Sequence, residues 1–90
     1  MTATLTVRHT ITDFDTWLVA YKDAGTIRDK HGCTAERVYR LATDSNDVFV
    51  THDFPTASQA ESFASDSDLR SAMERGGVTS APRIEIFELV

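Results

Sequence analysis

Clustered positive charge is missing from this chain, and its absence removes polyanionic partners. Nine Lys and Arg stand against fourteen Asp and Glu, a formal net charge of −5. Gripping a phosphate backbone depends on grouped cations, but Arg8, Arg28, Lys30, Arg37, Arg40, Arg70, Arg75 and Arg83 are dispersed among acids. Nucleic acid is therefore not an expected partner, and the same dispersion offers nothing to an anionic membrane surface. Long apolar runs are missing too. No stretch approaches the roughly 20 residues that span a bilayer, and MTATLTVRHT lacks the basic flank and apolar core of a signal sequence. A cytoplasmic protein is expected. Cysteine is reduced to Cys33, which cannot close an internal disulfide and fits a reducing compartment. No glycine-rich phosphate loop, serine-elbow motif, internal repeat, linker or low-complexity segment is present.

What is there suffices to fold. Apolar residues make up 41% and charged residues 26%, far from the composition of a disordered chain. Its 90 residues make one domain, 1–90, near the lower end of what buries a self-sufficient core. Candidate strands are apolar on both faces, with Phe49 beside Val50 and Phe87 beside Ile86. A second copy covering one face, in a homodimer, is expected.

Residues 4–11, TLTVRHTI, alternate as a strand with Leu5, Val7, His9 and Ile11 on one face. Thr12 is then the expected N-cap of a helix, with Asp15 completing a capping box. Phe14, Trp17, Leu18, Tyr21 and Ala24 follow at helical spacing, Lys30 and His31 close the last turn, and Gly32 supplies a left-handed stop. A second strand is expected from Cys33 to about Leu41. The polar run Thr43-Asp44-Ser45-Asn46-Asp47 reads as the turn of a hairpin to VFVTHDF.

Pro55 ends the third strand, and Thr56-x-x-Gln59 and Ser58-x-x-Glu61 each have the spacing of a capping box opening a second helix. That helix lays down Ala57, Ala60, Phe63 and Ala64. Ser65-Asp66-Ser67-Asp68 should break it, since short polar side chains favour caps over interiors, before a restart through Leu69, Ala72 and Met73. Gly76-Gly77 releases the chain, and after Pro82 RIEIFELV alternates as a fourth strand. The order βαββαβ predicts an α+β, ferredoxin-like domain with a four-stranded antiparallel sheet.

Across the whole chain, TVRHTITDFDTW, CTAERVYR, the Asp44-to-Asp47 turn, SFASDSDLRSAMERGGV and the closing strand resemble the dimeric α+β barrel proteins. These include the small antibiotic-biosynthesis monooxygenase-like and cyclase-like domains. The resemblance implies a homodimer with a pocket between the sheet and helices of each subunit. It implies a range of activities, among them cofactor-free oxygenases, cyclases, isomerases and haem-degrading enzymes, and fold does not select among them. The haem-degrading branch carries an Asn on the first strand and a Trp and a His on the second helix. Here the first strand carries His9 and the second helix has neither residue. The oxygenases of aromatic polyketides use Asn and Trp near the second helix, whereas Trp17, the only Trp, lies on the first, so their catalytic residues do not transfer.

His9 and His52 share the parity of apolar strand neighbours and are both expected to point inward, on a shared face of adjacent strands where two residues can lie roughly 5 to 8 Å apart; whether they share one cavity is left open by the sequence. An imidazole there can act as general acid or base, or fill the core. Trp17, Tyr21 and Phe63, with Phe14, either line an apolar pocket for a flat ligand or simply cover the sheet. Tyr39 and Arg40 could steady a developing oxyanion, but as adjacent strand residues only one can enter a given pocket. His31-x-Cys33 is too few donors for a metal site, and no metal or other cofactor is expected. The expected function is cofactor-independent chemistry on a small hydrophobic, aromatic or polyketide-like molecule, of monooxygenase or cyclase/isomerase type. In that reading His9 or His52 shuttles a proton and Trp17, Tyr21, Tyr39, Arg40 and Phe63 contact the substrate. The alternative is a non-catalytic ligand-binding or dimerisation module.

Overall fold

A computed structural model describes Met1–Val90. Its elements are β1 (Ala3–Thr10), α1 (Phe14–Asp23), α2 (Gly25–Lys30), β2 (Ala35–Leu41), β3 (Asp44–Phe54), α3 (Ala57–Ala64), α4 (Ser67–Arg75) and β4 (Arg83–Glu88). All neighbouring strands are antiparallel, in the order β2-β3-β1-β4. This is the ferredoxin-like α+β architecture expected from the element order.

Alternation decides which side of the sheet each residue serves. Ala3, Leu5, Val7 and His9 of β1 and Val48, Val50, His52 and Phe54 of β3 are buried beneath the helices. Leu5, Val7, Phe54, Ala60, Phe63 and Leu69 form one core cluster, and Ile11, Trp17, Val48 and Val50 a second. Burying a side chain such as Phe54 or Phe63 contributes about 1.5–3 kcal/mol each. The opposite face keeps Tyr39, Phe49 and Phe87 exposed at 47%, 38% and 54%, three aromatic rings set among polar residues such as Thr6, Arg8, Arg37 and Glu85.

Several local expectations are corrected. Asp13, not Thr12, caps α1: its carboxylate accepts from the Thr16 N–H at 2.9 Å, while the Thr12 N–H donates to the Gly77 carbonyl. The ionised acceptor caps the helix, and Thr12 is left to tie the end of β1 to the chain after α4. The first helix divides at Ala24 into α1 and α2, just before the poor helix formers Gly25 and Thr26. The second strand begins at Ala35 rather than Cys33. The hairpin turn is only Ala42-Thr43, because Leu41 pairs with Asp44 and then Arg40 with Val48, so Ser45, Asn46 and Asp47 bulge from β3. The polar run is spent on neighbours instead: the Asn46 carbonyl accepts from the Ile11 N–H, and Asp47 pairs with Arg8.

Thr56 caps α3 by accepting from the Gln59 N–H, and Ser58 lies inside that helix. The break in the second helix falls where expected, with Asp66 capping α4. Gly32 and Gly77 adopt φ of +82° and +74°, a left-handed backbone that glycine alone enters cheaply.

Candidate functional site

Val7 and Val50 are paired across the β1–β3 ladder and form the floor of a small cavity of about 40 Å³. His9 and His52 stand at its two ends, 5% and 4% exposed. Trp17, Ala20, Tyr21 and Ala24 cover it from the first helical segment, and Ala72 and Met73 of α4 close the side. The Trp17 and Tyr21 rings stack, with centroids 4.9 Å apart and planes 18° from parallel.

The two histidines share a sheet face, as their parity predicts, but are not close neighbours on it. His9 pairs with Val48, and His52 lies four residues further along β3, opposite Leu5. At about 3.3 Å per residue that is about 13 Å along the strand. Inward parity is a local property, but the register of β1 on β3 is set by tertiary pairing between strands that share no turn. The pair therefore brackets the cavity instead of meeting in it.

Each imidazole has its own partner. The Trp17 indole, which can only donate, gives its N–H to His9 Nε2 at 3.1 Å. Neutral His9 consequently carries its proton on Nδ1, a buried atom without a partner. Burial pushes the His9 pKa down, against the opposing charge of Asp47. His52 Nε2 lies 3.4 Å from the Tyr21 hydroxyl, and its Nδ1 is likewise buried and unpartnered. Burial first, then the nearby Arg28 cation, lowers the His52 pKa to about 4, with Asp53 opposing. At pH 7 this imidazole is neutral.

Two residues that the sequence reading did not single out complete this end. The Tyr21 hydroxyl donates to Glu36 Oε2 at 3.1 Å, and Glu36 is ion-paired with Arg28. The buried Arg28 guanidinium also lies 4.0 Å from the centre of the Tyr21 ring. Burial raises the Tyr21 pKa well above the ordinary phenol range, so it remains a hydroxyl donor. Two signals in the sequence pointed here: Glu36 has the parity of Val38, which pairs with Val50, and Arg28 lies seven residues, about two helical turns, after Tyr21.

The remaining candidates lie elsewhere. Phe63 contacts the His52 ring at 5.2 Å between centroids, but it belongs to the core beside Phe54 and does not line the cavity. Tyr39 is on the opposite sheet face against Phe49. Arg40 places its guanidinium 4.4 Å from the Phe14 ring centre. Neither reaches the cavity, which removes the basis for an oxyanion role there. His31 is engaged with Asp66 at 2.7 Å rather than with Cys33. Cys33 donates to the Ala35 carbonyl, and burial pushes its thiol pKa up, the opposite of an activated nucleophile.

No protein-family model matches the sequence, and no curated protein matches it significantly. Solved structures do match. SnoaB, a cofactor-independent oxygenase from Streptomyces nogalater, superposes with a TM-score of 0.80 at 9% identity, over 99% of this chain and 93% of that one. A candidate antibiotic biosynthesis monooxygenase from Bordetella bronchiseptica gives 0.82 at 10% identity, over 99% and 97%. Another from Caulobacter crescentus gives 0.79 at 14% identity, over 99% and 90%. The fold is that of the antibiotic-biosynthesis-monooxygenase-like α+β proteins. No helix is long and apolar enough to cross a membrane.

Proposed function

We propose that this protein is a cofactor-independent enzyme that removes a proton from a small hydrophobic, hydroxyaromatic or polyketide-like molecule held between His9 and His52. The observation that carries the reading is the bracketed cavity, with an apolar floor and an aromatic cover between two neutral imidazoles, each with a buried unpartnered nitrogen. His52 is the base. With a pKa near 4 it is proton-free at neutral pH but weak, so it suits an acidic phenol or an enolisable 1,3-dicarbonyl rather than an unactivated C–H. His9 offers its Nδ1–H to the oxygen on which negative charge develops. Trp17 and Tyr21 shape the apolar wall. The electron-rich anion then reacts with O₂, in a monooxygenase, or shifts or closes a bond, in an isomerase or cyclase. Fold likeness to a cofactor-independent oxygenase supports the first of these.

A cavity of about 40 Å³ holds little more than a water molecule, whereas ligand pockets begin near 300 Å³. Substrate entry therefore displaces a wall. The wall built for it is α4, which presents only Ala72 and flexible Met73 and lies between the Ser65-Asp66 break and Gly76-Gly77. The same reading includes a cytoplasmic homodimer, its two sheets meeting over Tyr39, Phe49 and Phe87.

A thermal-stabilisation screen of aromatic hydroxy compounds tests the proposal, since a ligand at 100 times its Kd stabilises the folded state by about 2.7 kcal/mol. Stabilisation followed by consumption of the compound supports the enzyme. Stabilisation without turnover, in air and under nitrogen, points to a binding module. No stabilisation across the panel counts against a hydroxyaromatic ligand at this cavity.

A further inference from the structure

His52 can act as a base only if the lone pair, not the proton, resides on its unpartnered Nδ1, and nothing in the imidazole itself decides this. The hydroxyl beside it decides. Tyr21 has one proton to give and can also accept. Glu36 Oε2 takes that proton at 3.1 Å, and the carboxylate is held there by Arg28. The Tyr21 oxygen is then left to accept from His52 Nε2 at 3.4 Å, which requires Nε2 to carry the hydrogen. Without Glu36, the Tyr21 O–H would turn to Nε2 and drive the imidazole proton onto Nδ1.

We propose that Glu36, fixed by Arg28, is a positioning residue that acts through the Tyr21 hydroxyl to hold the His52 proton on Nε2 and keep Nδ1 free as the base. Trp17 imposes the opposite outcome on His9, whose Nε2 must accept and whose Nδ1 must carry the proton. The two ends of the cavity thus offer an acceptor and a donor from the same residue type, each chosen by an aromatic partner on α1. The charged groups around His52 are Arg28 and Asp53 directly and Glu36 through Tyr21. Arg28 thereby both lowers the basicity of His52 and anchors the carboxylate that orients it. This inference rests on His52 being the base, but its test does not need a substrate.

The test is the ¹⁵N spectrum of the histidine side chains in the full chain at neutral pH, where protonated and bare ring nitrogens are resolved. Wild type should show His52 protonated on Nε2 and His9 on Nδ1. Glu36→Met leaves the buried Arg28 without its partner and risks unfolding, so Arg28→Met/Glu36→Met removes the pair together, an exchange that folded proteins often tolerate. In the double variant the His52 tautomer ratio should reverse by about tenfold or more, the worth of a hydrogen bond to a charged group, while His9 stays unchanged. A wild-type His52 protonated on Nδ1 overturns the proposal without any variant, as does a double variant that keeps its proton on Nε2. If the tautomer reverses as expected but His52→Gln retains full turnover, the relay stands and the assignment of His52 as base fails.

Discussion

Protonating His52 should cost this fold a measurable part of its stability, because the imidazole is buried among apolar groups and beside Arg28. Its pKa falls from 6.5 in the unfolded chain to about 4 in the folded one. At about 1.36 kcal/mol per unit, the difference corresponds to about 3 kcal/mol. The sign follows from proton counting: above pH 6.5 neither state binds the proton and the full stability is present. Between 6.5 and about 4 the unfolded chain binds it and the native state does not, so stability falls as the pH falls. Below about 4 both bind it and the loss is complete.

Urea unfolding of wild type and His52→Gln across pH 7 to 4 isolates the effect, since every other titrating group is common to both. The stability of wild type relative to the variant should be level above pH 6.5 and decline by about 3 kcal/mol by pH 4. A level difference over the whole range would mean that the folded imidazole takes up a proton as readily as the unfolded one. That would place it in a hydrated or ion-paired site and refute its burial among apolar groups. His9→Gln should show a decline of the same sign, as burial also lowers the His9 pKa.

Four further outcomes are expected. Sedimentation at low micromolar concentration should show a dimer, given the exposed Tyr39, Phe49 and Phe87 on one sheet face; a folded monomer there counts against the barrel assembly. Gly77→Ala should lower stability by at least about 1 kcal/mol in urea unfolding, because φ is +74° and a new Cβ would fall 2.5 Å from Thr12 Oγ1. Amides from Ser65 to Gly77 should exchange faster than those of α1, and equal protection would remove α4 as the moving wall. The acid limb of kcat/KM should lie near pH 4, where His52 gains its proton, rather than near 6.5.

Local rules carried the sequence reading far. Strand parity placed His9 and His52 beneath the helices, and Ser65-Asp66-Ser67-Asp68 announced the break in the second helix because a carboxylate at a cap outweighs one in a helix interior. Choices between near-equivalent local solutions were not legible. Thr12 and Asp13 can both cap, and only the return of Gly77 to the Thr12 N–H settles the matter. The two-residue turn at Ala42-Thr43 and its bulge were hidden by a polar run that looked like a longer turn. Distances across the sheet were also hidden, since a shift of two residues preserves parity while moving a side chain by about 7 Å. Glu36 and Arg28 looked like ordinary surface charges; their meaning comes from Tyr21, which brings strand and helix together at one hydroxyl.

Turnover by His9→Gln and His52→Gln on an identified substrate tests the central claim most directly. Glutamine keeps polarity and approximate bulk but cannot exchange a proton near neutral pH. The account predicts folded variants that still bind the substrate, with kcat reduced by about 10²–10⁴-fold for His52→Gln, the ordinary worth of a general base, and a smaller loss for His9→Gln. Full activity in both variants would contradict proton transfer at this cavity.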